Sequence, residues 1–401
     1  MSTALGLALL ACGQARARSN LLVLHTIDLR NARQPFALSE LDTTTGKLIK
    51  QVNVTLPEGP CDTDLHSPCW MVQNNNYDLA TGQDGELLFL QQHVNQVPTP
   101  TGFRVNYSAP MLLSIAPQSG IATIVGALPE ANDRSALTSA NYHLGFESDG
   151  GDGGAPAVLA TFRKYPTSPP PTSGVPVQIG VAAIDVRSGA VHERAVLETE
   201  CVNCVNGSYG HMVMSETGAF APSANLFCDH SLPVGLPPSR FVDLVCWDLT
   251  SGKVVSNVSD HAQMLVMHWD AAAHKLVGLG ECCDGVAGCP AECAGRAGNR
   301  TWVTYDVAAE GAPSPKIIGF VDPLPAADTG ATWLPLGSAL DVDARVFTYV
   351  AVSSASGGGI TGLRFVHLNA DTGAALGAND WSPEAAPGQP GGSIWRFAYA
   401  R

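Results

Sequence analysis

The chain has 401 residues, 45% of them hydrophobic and 14% charged, with a formal net charge of −14. That charge argues against nucleic acid or an anionic membrane surface as a partner. Its 41 Gly and 28 Pro, with almost no helical periodicity, point to an all-β chain.

Residues 4–12 form a short apolar run, followed by Ala15-Arg16-Ala17, a small-residue cleavage pattern. Together they predict a secretory signal peptide over 1–17 and a secreted, extracellular product. The run is too short to cross a bilayer and no second one follows, so no membrane span is expected. The remainder, 18–401, reads as one domain because a single pattern repeats through it.

That pattern is an apolar run, a turn of the form Asp-x-x-Ser/Thr-Gly, and a second apolar run. It occurs at Asp42 to Gly46, Ala116 to Gly120, Asp185 to Gly189 and Asp248 to Gly252, and in altered form at Asp306 to Gly311 and Asn369 to Gly373. The Gly-to-Gly steps are 74, 69, 63, 59 and 62 residues. The Asp or Asn side chain can accept backbone N–H groups just ahead of it, and the Gly supplies a positive φ, so each copy predicts a β-hairpin. Ala116 lacks the carboxylate and Glu310-Gly311 shifts the Gly, so those two turns should be looser. Flanking strands such as Leu244-Val245-Cys246-Trp247 are apolar on both faces, as in sheets pressed between neighbours.

A second hairpin precedes each copy. Its first strand begins near Tyr77-Asp78, Tyr142-His143, Tyr209 and His211, His268-Trp269-Asp270, and Trp333. Two hairpins give four strands per unit. These paired hairpins resemble the quinoprotein-type and YVTN-type β-propeller repeats over about residues 20–400. The resemblance implies a β-propeller of six four-stranded blades, or seven if two units have been merged, and implies no activity. The opening strand Asn20–Thr26 lacks an inner partner, and the alternating segment Ser393–Tyr399 around Trp395 lacks any hairpin mate. Pairing them would close the ring and remove an open edge.

In such a blade the long segments Gln91–Tyr107, Tyr165–Pro176, His230–Ser239 and Glu281–Arg300 fall on one face, read as irregular loops. Inserts on one face of a rigid repeat scaffold suit a binding surface for a protein or a glycan. The residues at the inner strands, Tyr77, Asp78, Tyr142, His143, His211, His268, Trp269, Asp270, Trp333 and Trp395, would ring the channel mouth. There they either line a pocket or pack as core between blades.

Removing 1–17 leaves ten cysteines, an even number that suits disulfides in an oxidising compartment. Cys61 with Cys69, Cys201 with Cys204, and two local bridges among Cys282, Cys283, Cys289 and Cys293 are expected. Cys228 and Cys246 fall on neighbouring strands about three residues out of register. Cys201, Cys204, Cys228 and His230 also suggest zinc, with poor spacing. Adjacent Cys282-Cys283 is similar to the vicinal disulfide of quinoprotein alcohol dehydrogenases, although no quinone ligand set accompanies it. Asn53, Asn106, Asn206, Asn257 and Asn299 stand in glycosylation sequons.

No catalytic motif is legible: there is no Gly-x-Ser-x-Gly elbow around His211 and its neighbouring serines. Asp78, Asp270, Asn75 and Asn141 could supply oxygen ligands to Ca²⁺. Asp149–Gly154 reads as a flexible turn more than a cation loop. The reading is a secreted binding module. The alternative is a channel-mouth enzyme, either a Ca²⁺-dependent, lactonase-like hydrolase or a quinone-dependent oxidoreductase.

Overall fold

The computed structural model describes residues 20–27, 34, 36–57, 79–82, 84–92, 94–100, 102–129, 143–147, 155–164, 178–198, 218–231, 242–260, 266–282, 289, 291–296, 299–306, 316–321, 334–354, 360–381 and 394–400. The fold is a six-bladed β-propeller, each blade a four-stranded antiparallel sheet.

Blade 1 contains β1 (Leu21–Thr26), β2 (Phe36–Leu41) and β3 (Leu48–Val54). Blade 2 contains β4 (Leu79–Thr81), β5 (Leu87–Gln91), β8 (Met111–Ile115) and β9 (Ala122–Ala127), with a separate hairpin of β6 (Val94–Thr99) and β7 (Gly102–Tyr107) between β5 and β8. Blade 3 is β10 (Leu144–Glu147), β11 (Ala157–Lys164), β12 (Gln178–Asp185) and β13 (Val191–Val196). Blade 4 is β14 (Ala219–Ala221), β15 (Leu226–Ser231), β16 (Val242–Asp248) and β17 (Val254–Asp260). Blade 5 is β18 (Val266–Asp270), β19 (Lys275–Glu281), β20 (Arg300–Tyr305) and β21 (Lys316–Phe320). Blade 6 is β22 (Leu334–Asp341), β23 (Val346–Ser354), β24 (Ile360–Asn369) and β25 (Ala375–Asp380).

The last strand, β26 (Ile394–Tyr399), pairs antiparallel with β1, placing Leu22 opposite Ala398 and Leu24 opposite Arg396. It becomes the inner strand of blade 1. The six inner strands then touch in the order β26, β4, β10, β14, β18, β22 and back to β26, which closes the ring.

The repeated turn joins the third and fourth strands of each blade. Asp185 Oδ1 accepts the backbone N–H groups of Arg187 (2.8 Å) and Ser188 (2.6 Å), and Asn369 Oδ1 accepts those of Asp371 and Thr372 (both 3.0 Å). These bonds, led by the one from Ser188, hold the Asp185 carboxyl below its ordinary range. The turn glycine has a second task. At Gly189 (φ +70°) a Cβ would lie 2.1 Å from the Val125 carbonyl oxygen of the preceding blade, and at Gly252 (φ +70°) 2.0 Å from that of Val196. These two turns, and that of Gly120 at Asn53 O, therefore abut the neighbouring blade's outer strand through bare backbone, whereas Gly46 and Gly373 meet the side chains of Asn379 and Trp302. The Ala116 turn closes like the others, with Gly120 at φ +71° donating to the Ala116 carbonyl at 2.8 Å. It is not looser, because Thr55 of blade 1 pins it from outside: Thr55 N–H donates to Gly120 O and Ala122 N–H to Thr55 O, both at 2.9 Å. The Gly311 turn lies outside the described residues.

Burial follows strand position. The two middle strands of a blade are buried on both faces, so Leu87–Leu90 packs Leu87 and Phe89 against blade 1 and Leu88 and Leu90 against blade 3. Outer strands are half exposed and carry Leu48, Ile49, Ile124, Val254 and Val255 to solvent. Two buried tryptophans bridge blades through their indole N–H: Trp247 to Glu198 O (2.8 Å) and Trp302 to Ala370 O (3.0 Å).

Three expectations are corrected. Gln91–Tyr107 is not an irregular loop: it contains the six-pair β6–β7 hairpin. Cys228 lies directly opposite Cys246, and the two form a disulfide, with no register offset. The inner strand of blade 4 begins at Ala219, well beyond His211.

Candidate functional site

The antiparallel order gives the ring two unlike faces. Turns between the first and second, and the third and fourth, strands of each blade lie on the turn face. Connections between second and third strands, and links from blade to blade, lie on the link face.

Of the residues expected to ring the mouth, His143, His268, Trp269 and Asp270 are described, as is the backbone of Trp395. Tyr77, Asp78, Tyr142, His211 and Trp333 lie outside the described residues, as do Asn75 and Asn141. His143 precedes β10 and is 1% exposed, with its ring beside Phe227 (5.5 Å between centroids) and directly over Gly218 of blade 4. His268 and Trp269, being consecutive on β18, face opposite neighbours. His268 Nε2 bonds Ser338 Oγ of blade 6 (2.7 Å), whereas the Trp269 indole donates to Ser223 Oγ of blade 4 (3.0 Å). Both fill the spaces between blades.

Asp270 ends β18 and so stands at the turn face. Its Oδ1 accepts the N–H groups of Ala272 and Ala273 (both 3.1 Å), and Arg345 of blade 6 holds both of its oxygens. Burial pushes this carboxyl upward, but the Arg345 bonds and the turn N–H groups outweigh it and hold it below its ordinary value. An aspartate so engaged differs from the expected mouth ligand for Ca²⁺. Among the described residues no three His, Cys, Asp or Glu side chains gather as a metal site. Cys228, being in a disulfide, offers no thiolate to zinc. Cys282 pairs with Cys293, not with its neighbour Cys283, so the vicinal arrangement is not formed. Cys289 is also disulfide-bonded. Cys61, Cys69, Cys201, Cys204 and Cys283 lie outside the described residues.

The link face carries two ordered additions. The β6–β7 hairpin rises from blade 2 immediately after the buried Gln91 and Gln92. Gln92 Nε2 anchors its far end by donating to Ser108 O (2.6 Å), while Gln91 Nε2 and Gln92 Oε1 are buried and have no hydrogen-bond partner among the described residues. On blade 5 the segment after β19 is stapled by Cys282–Cys293, turns through a short 3₁₀ stretch at Ala291–Cys293, and lays the Arg296 guanidinium over the Phe320 ring at 4.0 Å. The remaining long segments, 165–177 and 232–241, lie outside the described residues.

Sequence reasoning missed two polar systems. One is Arg345, which joins Asp270 to Asp371; its αL backbone (φ +56°), shared with His274 and Asn225 at matching turns, carried no sequence signal. The other is a chain at the ring's closing seam, of buried Thr348 and His367 and half-buried Asn379, whose members sit at ordinary strand positions.

No protein-family model matches the chain and no curated protein matches it. Among solved structures, TolB from Acinetobacter baumannii is similar over 95% of this chain and 66% of its own length, at 10% identity and a TM-score of 0.46. Hydrazine synthase from Kuenenia stuttgartiensis is similar over 86% of this chain and 76% of its own, at 11% identity and a TM-score of 0.41. The Dos1 propeller is similar over 78% of this chain and 70% of its own, at 13% identity and a TM-score of 0.35. The chain shares with them the β-propeller fold.

Proposed function

We propose that this chain is a secreted binding propeller that holds a protein or a glycan on its link face. The observation that carries the reading is the β6–β7 hairpin, a six-pair addition to blade 2 that the four-stranded sheet does not need. The disulfide-stapled segment of blade 5 supports it, since both additions stand on one face of a rigid ring. Export is supported by the disulfides of Cys228, Cys246, Cys282, Cys289 and Cys293 and by the leader-like residues 1–17, which lie outside the described residues. No helix among the described residues is long and apolar enough to cross a membrane. The sequon asparagines Asn53, Asn257 and Asn299 are exposed, as acceptors of a glycan must be. Asn106 lies on β7, and Asn206 is outside the described residues.

The test uses the folded protein and a variant in which a short turn replaces residues 93–108. A glycan array and a pull-down from extracellular fluid should give a partner for the first, lost in the second at unchanged Tm. Blank results on both assays with folded protein overturn the proposal.

A further inference from the structure

Five of the six seams between blades are filled mainly by aliphatic and aromatic side chains. The seam between blades 6 and 1, which the terminal strand closes, differs. Its apolar cluster of Leu21, Val23, Val346, Val350, Phe365 and Tyr399 is interrupted by a polar chain, buried at Thr348 and His367 and half-buried at Asn379. Tyr399 of β26 shares a hydrogen bond with Thr348 of β23, and Thr348 Oγ1 bonds His367 Nδ1 of β24 at 2.7 Å. His367 Nε2 bonds Asn379 Nδ2 of β25 at 3.1 Å, and the same Nδ2 bonds the Thr43 carbonyl of blade 1 at 3.0 Å. The chain therefore starts and ends in blade 1 and crosses blade 6 between.

The geometry fixes the protonation state of the histidine. A carbonyl can only accept, so the Asn379 group facing Thr43 O must be its NH₂. That NH₂ spends its second hydrogen on His367, so Nε2 is an acceptor and the ring proton sits on Nδ1, donated to Thr348. His367 is 2% exposed and neutral in this arrangement. A second proton on Nε2 would point at the Asn379 NH₂. Turning the amide to offer its oxygen would take the donor away from Thr43 and break the link to blade 1. Asn379 is half-buried, and its Cβ packs directly on Gly46 of blade 1.

The neighbouring ionisable groups among the described residues do not relieve this conflict. Arg364 and Asp380 bond each other (2.5 and 2.9 Å) on the opposite faces of β24 and β25. Glu40 accepts from Asn20 and Lys50 reaches Gln118, both on the far face of blade 1. Asp42 accepts the N–H groups of its own turn. His25 lies in the same seam, but there Ser39 donates to Gln51 (3.0 Å), so His25 Nε2 (2.9 Å from Ser39) is already the donor, and charging its ring keeps that bond.

We propose that the seam between blades 6 and 1 is an acid-sensitive closure, in which protonation of His367 releases Asn379 from Thr43 and loosens the terminal strand β26 from the ring. The sign follows from the neutral form being the one that closes. Closure is complete above the ordinary histidine pKa and weakens as pH falls through it.

The test reads histidine ¹⁵N shifts and hydrogen exchange in the full-length protein. At pH 7.5 His367 should show the Nδ1–H tautomer. Between pH 7.5 and 5.5, after correction for intrinsic exchange, protection in Leu21–Thr26 and Ile394–Tyr399 should fall by about tenfold, one pH unit's linkage below a histidine pKa of about 6.5. Protection in β10–β13 should not change. His367→Gln should abolish the differential loss, and His25→Gln should leave it intact. An imidazolium or an Nε2–H tautomer at pH 7.5, no loss at pH 5.5, or equal loss in every blade overturns the proposal. The first of these is read on the native protein and does not depend on any variant folding.

Discussion

Arg345 grips Asp270 across a blade boundary with two parallel bonds, Nη1 to Oδ1 at 2.8 Å and Nη2 to Oδ2 at 2.6 Å. Asp270 is wholly buried and Arg345 is about a quarter exposed, and Nη2 also reaches Asp371 of blade 6 at 2.5 Å. This fork ties the inner strand of blade 5 to two turns of blade 6.

Removing the arginine strands a buried carboxylate. Arg345→Met should cost about 2–3 kcal/mol by urea denaturation, below the full value of a buried pair because the guanidinium keeps some solvent. Asp270→Asn should cost less, and should flatten the acid limb of the stability curve. The folded carboxyl lies below its ordinary value of 3.8, so its contribution is complete above that pH and disappears as pH falls through the folded value. An unchanged acid limb would show that the pair is not coupled to folding.

The repeated glycine combines two constraints, and they can be separated. Gly252→Ala imposes both a left-handed backbone and a 2.0 Å approach to Val196 O. Gly295→Ala imposes only the first, since at φ +71° its Cβ would meet nothing within 4 Å. The second variant should lose about 1–2 kcal/mol, the ordinary cost of that conformation. The first should lose clearly more, or separate blade 4 from blade 3. Equal losses in chemical denaturation would leave the close approach without energetic weight.

Ala116 offers the reverse experiment, because its turn already has the backbone that the other copies share. Ala116→Asp supplies the missing acceptor for the turn N–H groups and should raise Tm by about 1–2 °C at pH 7. The gain should vanish on acidification below the carboxylate range. A lowered Tm would mean that the aspartate closes turns only where the sequence around it cooperates.

Cys228 and Cys246 join β15 to β16, 18 residues apart in sequence. Replacing both with Ala should cost about 3 kcal/mol under non-reducing conditions, by the entropy returned to the unfolded chain. The same shift should appear on reducing the native protein, as far as this bond is the one reduced.

The blade count was legible because Asp-x-x-Ser/Thr-Gly does a job that few other sequences do, and the ring's closure because Leu21–Thr26 and the segment around Trp395 each lacked a mate. Registers were less so. Cys228 and Cys246 appeared misaligned because the strand ends beside them, Ser231 and Val242, had to be guessed across a Pro-rich segment. Pro98 and Pro100 hid the β6–β7 hairpin in the same way. The mouth residues illustrate a deeper limit. His268 and Trp269 are one position apart and turn to different blades, and Asp270 stands at the far end of its strand. Adjacency in sequence, at period two, separates side chains that a motif-based reading groups together. The polar chain through His367 left no pattern, since each member comes from a different strand and only the packed seam aligns them.

The pairing of β1 with β26 has a consequence for biosynthesis. The first strand of the ring leaves the ribosome with its inner edge bare and stays so until β26 has been translated. Blades 2 to 6 draw all four strands from contiguous sequence and can form as the chain emerges, while blade 1 must wait. The nascent polypeptide thus carries an unpaired aliphatic edge, Leu21 to Leu24, until blade 6 is complete and β26 follows it.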